Sequence, residues 1–200
     1  MAMTGPRGDT AWEVLETRLL SDNWARLTTS LLRVRLRDGT VQEQWREAYD
    51  RGDGACILPF DPVRRHVLLG RQFRWPAAQN GDDPFLVEAA AGLLDDAAPE
   101  ARIRAEAQEE LGLTLDVPRF LFSLYMSPGS VTERLHFFSA TYGATDAQAR
   151  FGGLREEGEE IEIMDIPLKE ALTMIEDGTI RDAKTVILLQ YAALHLMPED

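Results

Sequence analysis

Glu106, Glu109 and Glu110 stand at i, i+3 and i+4, a spacing that places three carboxylates on one face of a single helical turn. On an exposed helix such like charges cost roughly a few tenths of a kcal/mol per pair. They also lie near the helix C-terminus, where the macrodipole disfavours negative charge. Two unfavourable effects on one face point to a compensating cation. Magnesium suits it, because this hard ion takes carboxylate oxygens and keeps positions open for water and phosphate; manganese is a natural substitute. The plainer alternative is a solvated acidic face, supported by Arg102 four residues before Glu106.

The elements that must position these carboxylates can be read from the flanking pattern. Pro99 suits a first helical position and Gly112 a C-terminal cap, so the acidic turn ends a helix over Pro99–Leu111. Upstream, Arg26–Arg37 is rich in β-branched and aliphatic residues and stops at Asp38-Gly39, a hairpin turn signal answered by a strand over Val41–Tyr49. Ala55–Phe60 reads as a buried strand, and His66–Phe73, Leu86–Ala90, Phe120–Met126, Leu135–Tyr142 and Glu160–Ile166 as further strands. Helices are expected over Pro167–Asp177 and Asp182–Met197, after a disordered start to about Asp9. Strands first, one helix among them and two at the end predict a mixed α/β sandwich rather than a doubly wound sheet.

Composition narrows the function classes. The 200 residues suit one domain with a short appendage. Thirty-four carboxylates against 21 Lys plus Arg leave a formal charge of −13, the wrong sign for a general nucleic-acid surface. A chain this acidic can still handle an anionic substrate if a divalent metal neutralises the meeting charges. Thr185–Met197, the longest nearly apolar run, is too short for a bilayer, and the N-terminus has no apolar signal region. One cysteine, Cys56, excludes a disulfide framework and fits a reducing compartment. His66, His136 and His195 are too scattered to suggest structural zinc. A cytoplasmic protein is expected.

The segment Glu88–Gly112 resembles the Nudix box, G-x5-E-x7-R-E-U-x-E-E-x-G-U with U aliphatic. Gly92, Glu106, Ala107, Glu109, Glu110, Gly112 and Leu113 fall on it if the loop is one residue short. The early glutamate is replaced at Ala97 or Ala98, and Ala105 stands where the box has an arginine that orients a metal-binding carboxylate. Ser127-Pro128-Gly129 resembles a segment of the ADP-ribose and nucleotide-sugar pyrophosphatases. Leu20–Trp24, Arg46–Gly52, Arg71–Arg74, Ala90–Asp95, Tyr125–Thr132, His136–Phe138 and Ile180–Thr185 resemble the GDP-mannose pyrophosphatase subfamily. The likeness runs from about Leu20 to Met197.

That resemblance implies a Nudix α/β/α sandwich with a mixed sheet and an N-terminal β-hairpin extension. Residues 1–52 would form a tail and dimerising strands, and residues 53–200 the hydrolase domain. It further implies Mg²⁺ on Glu106, Glu110, Glu159 and the Ala91 carbonyl, with Glu109 and Glu133 also in the catalytic set. Trp24, Trp45, Arg46, Glu47, Arg74, Gly92, Leu93, Glu133 and Lys184 would contact the nucleotide sugar. The subfamily exchanges N-terminal strands across a homodimer, so Trp24 and Arg46 would serve the neighbouring site. Trp45 stands where relatives can carry lysine, and Gly158 where an acidic residue can precede the last metal glutamate.

The residue types suit this chemistry. Splitting a P–O–P bridge needs charge neutralised on two phosphates and a water aligned in line. Arg74 is a two-pronged donor and Lys184 a point charge for phosphate, though either could be an ordinary surface cation. Trp24 could stack on a base or simply pack. Glu133 could be a general base or a sugar contact. Cys56 reads as a small buried hydrophobe and His136 as a strand histidine with a satisfied hydrogen bond. The expected activity is Mg²⁺-dependent hydrolysis of GDP-mannose to GMP and mannose 1-phosphate. ADP-ribose is the alternative substrate, and a non-catalytic nucleotide-sugar sensor the alternative class. No nucleic-acid or membrane partner is expected.

Overall fold

The turn at Asp38-Gly39 forms as its residues demand. In the structure, a computed structural model describing residues 11–147 and 149–198, Asp38 Oδ1 accepts from the Thr40 N–H (2.9 Å) and hydroxyl (2.6 Å). The turn joins β2 (Arg26–Arg35) to β3 (Val41–Asp50), which pair antiparallel as expected. A strand not anticipated, β1 (Trp12–Asp22), lies on the other side of β2. Its register slips between Val14 and Glu16 and again between Leu19 and Ser21, so two bulges break the simple alternation that marks a strand in sequence. The N-terminal extension is thus a three-stranded antiparallel sheet. The expected disordered start to Asp9 lies outside the described residues.

This sheet and Ser127–Glu133 form one compact unit. Val131 bridges Tyr49, the Tyr49 N–H donates to the Ser130 carbonyl (2.8 Å), and the Thr132 hydroxyl donates to Asp50 (2.9 Å). Arg51 pairs with the buried carboxylate of Glu133. Two segments far apart in sequence, 46–52 and 127–133, therefore hold each other. No residue of β1–β3 is fully buried.

The second unit contains the remaining residues. Its sheet has the order β10-β11-β5-β4-β9-β8: β4 (Gly54–Asp61), β5 (His66–Phe73), β8 (Arg119–Tyr125), β9 (Arg134–Thr141), β10 (Phe151–Gly152) and β11 (Ile161–Pro167). β4 and β9 run parallel and the other pairs are antiparallel. Alternation along β4 sorts the core: Cys56, Leu58 and Phe60 join one apolar cluster, Ala55 and Ile57 the other. The first is completed by Leu168 and Ala171 of α3 (Leu168–Glu176) and by Leu188 and Leu189 of α4 (Ala183–Tyr191). The second is completed by Ile103, Ala107 and Leu111 of α2 (Pro99–Leu111). Helices therefore cover both faces of a mixed sheet. The last helix is shorter than expected and continues as a π-helical turn over Ala192–Leu196.

The expected strand Leu86–Ala90 is two strands. β4 and β5 pair only at their turn, Phe60 with Val67 and Asp61 with His66, and then separate. Beyond the short helix α1 (Trp75–Gln79), β6 (Phe85–Glu88) pairs with β5, and β7 (Ala90–Leu93) crosses to β4. Ala89 lies at the crossing, where the buried Thr185 hydroxyl accepts its N–H at 2.7 Å. His136 Nδ1 lies 2.7 Å from the Ser123 hydroxyl and Cys56 is buried, as their sequence positions suggested.

Candidate active site

The acidic turn of α2 lies against β7. Pro99 opens the helix and Gly112 closes it in the left-handed conformation, so the boundaries are those the sequence predicts. Glu106 and Glu110 are only 5% and 3% exposed, whereas Glu109 is half-buried. A Cβ at Gly92 would fall 1.7 Å from Glu106 Oε1, so this carboxylate occupies the space that a side chain on β7 would fill. The Ala91 N–H donates to Glu110 Oε2 at 3.1 Å. Arg102, one turn earlier, pairs with Glu106 Oε1 at 2.6 Å.

Burial pushes the Glu106 carboxyl up to about 7 against the pull of Arg102, with the charges of Glu109 and Glu159 adding to the rise. Burial and the adjacent Glu106 push Glu110 to about 8, only partly offset by the Ala91 N–H. Glu159 accepts the Leu154 N–H at 3.2 Å, and its charge is felt by both helix carboxylates. Among the described residues no three His, Cys, Asp or Glu side chains are gathered tightly enough to enclose an ion as they stand. The donor set nevertheless suits a hard cation: two desolvated carboxylates repel each other and a third lies within electrostatic reach.

If Glu106 needs the space over Gly92, Gly92→Ala should displace its carboxylate and weaken Mg²⁺ binding by about tenfold or more. Calorimetry would check this, with circular dichroism confirming the fold. Wild-type Mg²⁺ affinity would break the link between Gly92 and the site.

A second charged cluster lies at the end of β6. Glu88, 3% exposed, accepts Arg74 Nε and Nη2 at 3.0 Å each and Lys184 Nζ at 2.6 Å. Lys184 also meets Asp182 at 3.0 Å, and Asp182 caps α4 by accepting the Thr185 N–H. Burial would lower the Lys184 pKa, but Glu88 and Asp182 outweigh it and hold the group well above its ordinary value. Burial would likewise raise Glu88, yet Lys184 and Arg74 keep it below the usual carboxylate range. The structure therefore joins Arg74 and Lys184 through a carboxylate that the sequence gave no reason to select. The Ile180–Thr185 segment is accounted for residue by residue: Ile180 fills the core, Arg181 pairs with Asp82, Asp182 caps, Lys184 meets Glu88 and Thr185 receives Ala89.

Within the N-terminal unit, Trp24 is 70% exposed, so it packs against nothing that buries it there. Trp45 is exposed, with the Arg18 guanidinium 4.6 Å from its ring centroid. Alternation puts Trp45 and Glu47 on one face of β3 and Arg46 on the other. Glu133 is held by Arg51. In the second unit Leu93 pairs with Gly54, and Gly92 with Ala55.

A mixed sheet between helices, with a carboxylate-bearing helix laid on a glycine-containing strand, is the Nudix architecture. Residues 11–49 match the family model described as the GDP-mannose pyrophosphatase NudK N-terminal domain. GDP-mannose pyrophosphatase of Pectobacterium atrosepticum is 46% identical over 183 residues, covering 91% of this chain and 94% of the relative. The Yersinia pestis protein of that name is 44% identical over 187 residues, 93% of each chain, and the Yersinia enterocolitica one 46% over 184 residues, 92% and 95%. The chain belongs to the GDP-mannose pyrophosphatase family of Nudix hydrolases.

Proposed function

We propose that this chain hydrolyses the pyrophosphate bond of GDP-mannose in a Mg²⁺-dependent reaction, giving GMP and mannose 1-phosphate. What carries this is 46% identity over 91% of the chain to a relative named for that substrate. Glu106, Glu110 and Glu159, with the Ala91 carbonyl, would hold the metal. When bound, magnesium neutralises phosphate charge and lowers the pKa of a coordinated water. Arg74 and Lys184 would fix the two phosphates, and Gly92 and Leu93 present β7 backbone to the substrate. Trp24, Trp45, Arg46 and Glu47 would recognise the base and sugar. Glu133 would serve as general base or sugar contact.

Base selectivity gives the test. Guanine presents N1–H and an amino group, a paired donor edge that the Glu47 carboxylate can accept. Adenine has no N1–H and cannot present that edge. An unmet carboxylate costs about 1–3 kcal/mol, roughly ten- to a hundredfold in selectivity. GDP-mannose should therefore show higher kcat/KM than ADP-ribose, and Glu47→Gln should narrow the gap. A tenfold preference for ADP-ribose under identical Mg²⁺ would transfer the assignment to that substrate. Binding of nucleotide sugar without turnover would make the chain a sensor.

We also propose a homodimer that exchanges its N-terminal strands. Leu19, Leu20, Trp24, Val41 and Trp45 are exposed on a three-stranded sheet with two free edges among the described residues. Deleting residues 1–50 should abolish both dimerisation and substrate binding. Sedimentation of the full chain as a fully active monomer would rule the dimer out.

A further inference from the structure

We propose that Glu88 is a positioning residue for hydrolysis: one buried carboxylate sets the spacing and orientation of Arg74 and Lys184 so that their remaining donors meet the two phosphates of the substrate. This rests on the nucleotide-sugar reading above and assigns a role to a residue outside the proposed contact set.

Both oxygens of Glu88 are used. Oε1 takes Arg74 Nε, and Oε2 takes Arg74 Nη2 and Lys184 Nζ. Arg74 keeps Nη1 without a partner among the described residues, and its side chain is 40% exposed, so the cluster is open at that end. Lys184 has three donors and two carboxylate neighbours, Glu88 and Asp182, which leaves one N–H for a ligand. Two cations and two carboxylates sum to zero, so the cluster is electrically balanced before any phosphate arrives.

Stability alone is a weak reason for this arrangement. A buried ion pair returns little or nothing over a well-packed apolar replacement, because desolvation offsets the attraction. Orientation is what the arrangement supplies. An arginine held bidentate has its plane fixed, and a lysine sharing the same carboxylate is fixed relative to that plane. Glu88 is also tied to the metal side of the site by the chain itself. It is followed by Ala89, anchored on Thr185, and then by Ala91, whose N–H meets Glu110. The segment from Glu88 to Gly92 thus fixes the cation pair and the backbone facing the carboxylates together.

Glu88→Asp separates charge from reach: it retains the negative charge but is one methylene too short to engage both cations at once. Glu88→Gln keeps the length and removes the charge. Inorganic pyrophosphate needs both cations correctly spaced, whereas orthophosphate needs only one. In folded Glu88→Asp, calorimetry should show pyrophosphate affinity falling about tenfold with orthophosphate affinity unchanged, and kcat/KM for GDP-mannose falling by about a hundredfold. A purely structural role would lower the melting temperature and leave the pyrophosphate-to-orthophosphate ratio as in the wild type. That ratio unchanged in whichever variant folds, or failure of both variants to fold, overturns the proposal. The ligand ratio does not depend on turnover. A wild-type chain that hydrolyses no nucleotide sugar would sink the functional reading, while an altered ratio would still place Glu88 in control of a diphosphate site.

Discussion

Glu110→Gln is expected to abolish hydrolysis while raising the melting temperature of the metal-free chain at alkaline pH. Glutamine keeps the length of Glu110 and can still accept the Ala91 N–H, so the helix should remain on β7. What disappears is a carboxylate that burial and Glu106 have pushed up to about 8. Because the folded state holds that proton more tightly than the unfolded chain, the contribution to stability is full below the ordinary glutamate pKa of about 4.3 and is lost as pH rises through about 8. Wild-type protein in chelator should therefore melt lower at pH 9 than at pH 6. Glu110→Gln should flatten that decline, and the raised Glu106 should leave a residual slope. Turnover should fall by more than the about hundredfold that loss of an outer-shell partner costs, since here a ligand is lost. Wild-type rates in saturating Mg²⁺ would remove Glu110 from the ligand set.

Gly152→Ala should be among the most damaging small substitutions in the chain. A Cβ there would stand 2.0 Å from the Glu110 carbonyl oxygen, 2.6 Å from its carbon and 3.2 Å from the Glu109 oxygen. These are backbone atoms at the end of a helix and cannot swing aside. The neighbouring Gly153 N–H donates to the Glu109 carbonyl at 2.8 Å, so β10 also satisfies a carbonyl that the last turn of α2 leaves open. Overpacking against backbone should cost about 3 kcal/mol or more in urea unfolding, and the shift of α2 should carry Glu110 out of place. A loss under about 1 kcal/mol would mean that β10 can move freely from the helix.

How much of this could be read from sequence depends on how local each cause is. α2 was legible to the residue because Pro99 and Gly112 are local signals, and the Arg102–Glu106 pair because it spans one helical turn. The alternation of β4 and β5 was equally clear. β1 escaped because two bulges and many charged residues hide its period. The β6–β7 break escaped because it depends on which strand each half pairs with. Glu88 had no local mark at all: its partners lie 14 and 96 residues away. Gly152 owes its importance to contact with the end of a helix some forty positions earlier, which no spacing rule reveals. The three helix carboxylates were found from their spacing alone, whereas Arg74, Lys184 and the N-terminal contacts came only through resemblance.

The most direct test of the central claim is ³¹P NMR of GDP-mannose incubated with the full chain and Mg²⁺. The expected result is loss of the diphosphate signals with equal growth of GMP and mannose 1-phosphate, stopped by chelator and absent with Glu110→Gln. Appearance of GDP with free mannose, or an unchanged diphosphate in the presence of folded protein, would contradict it.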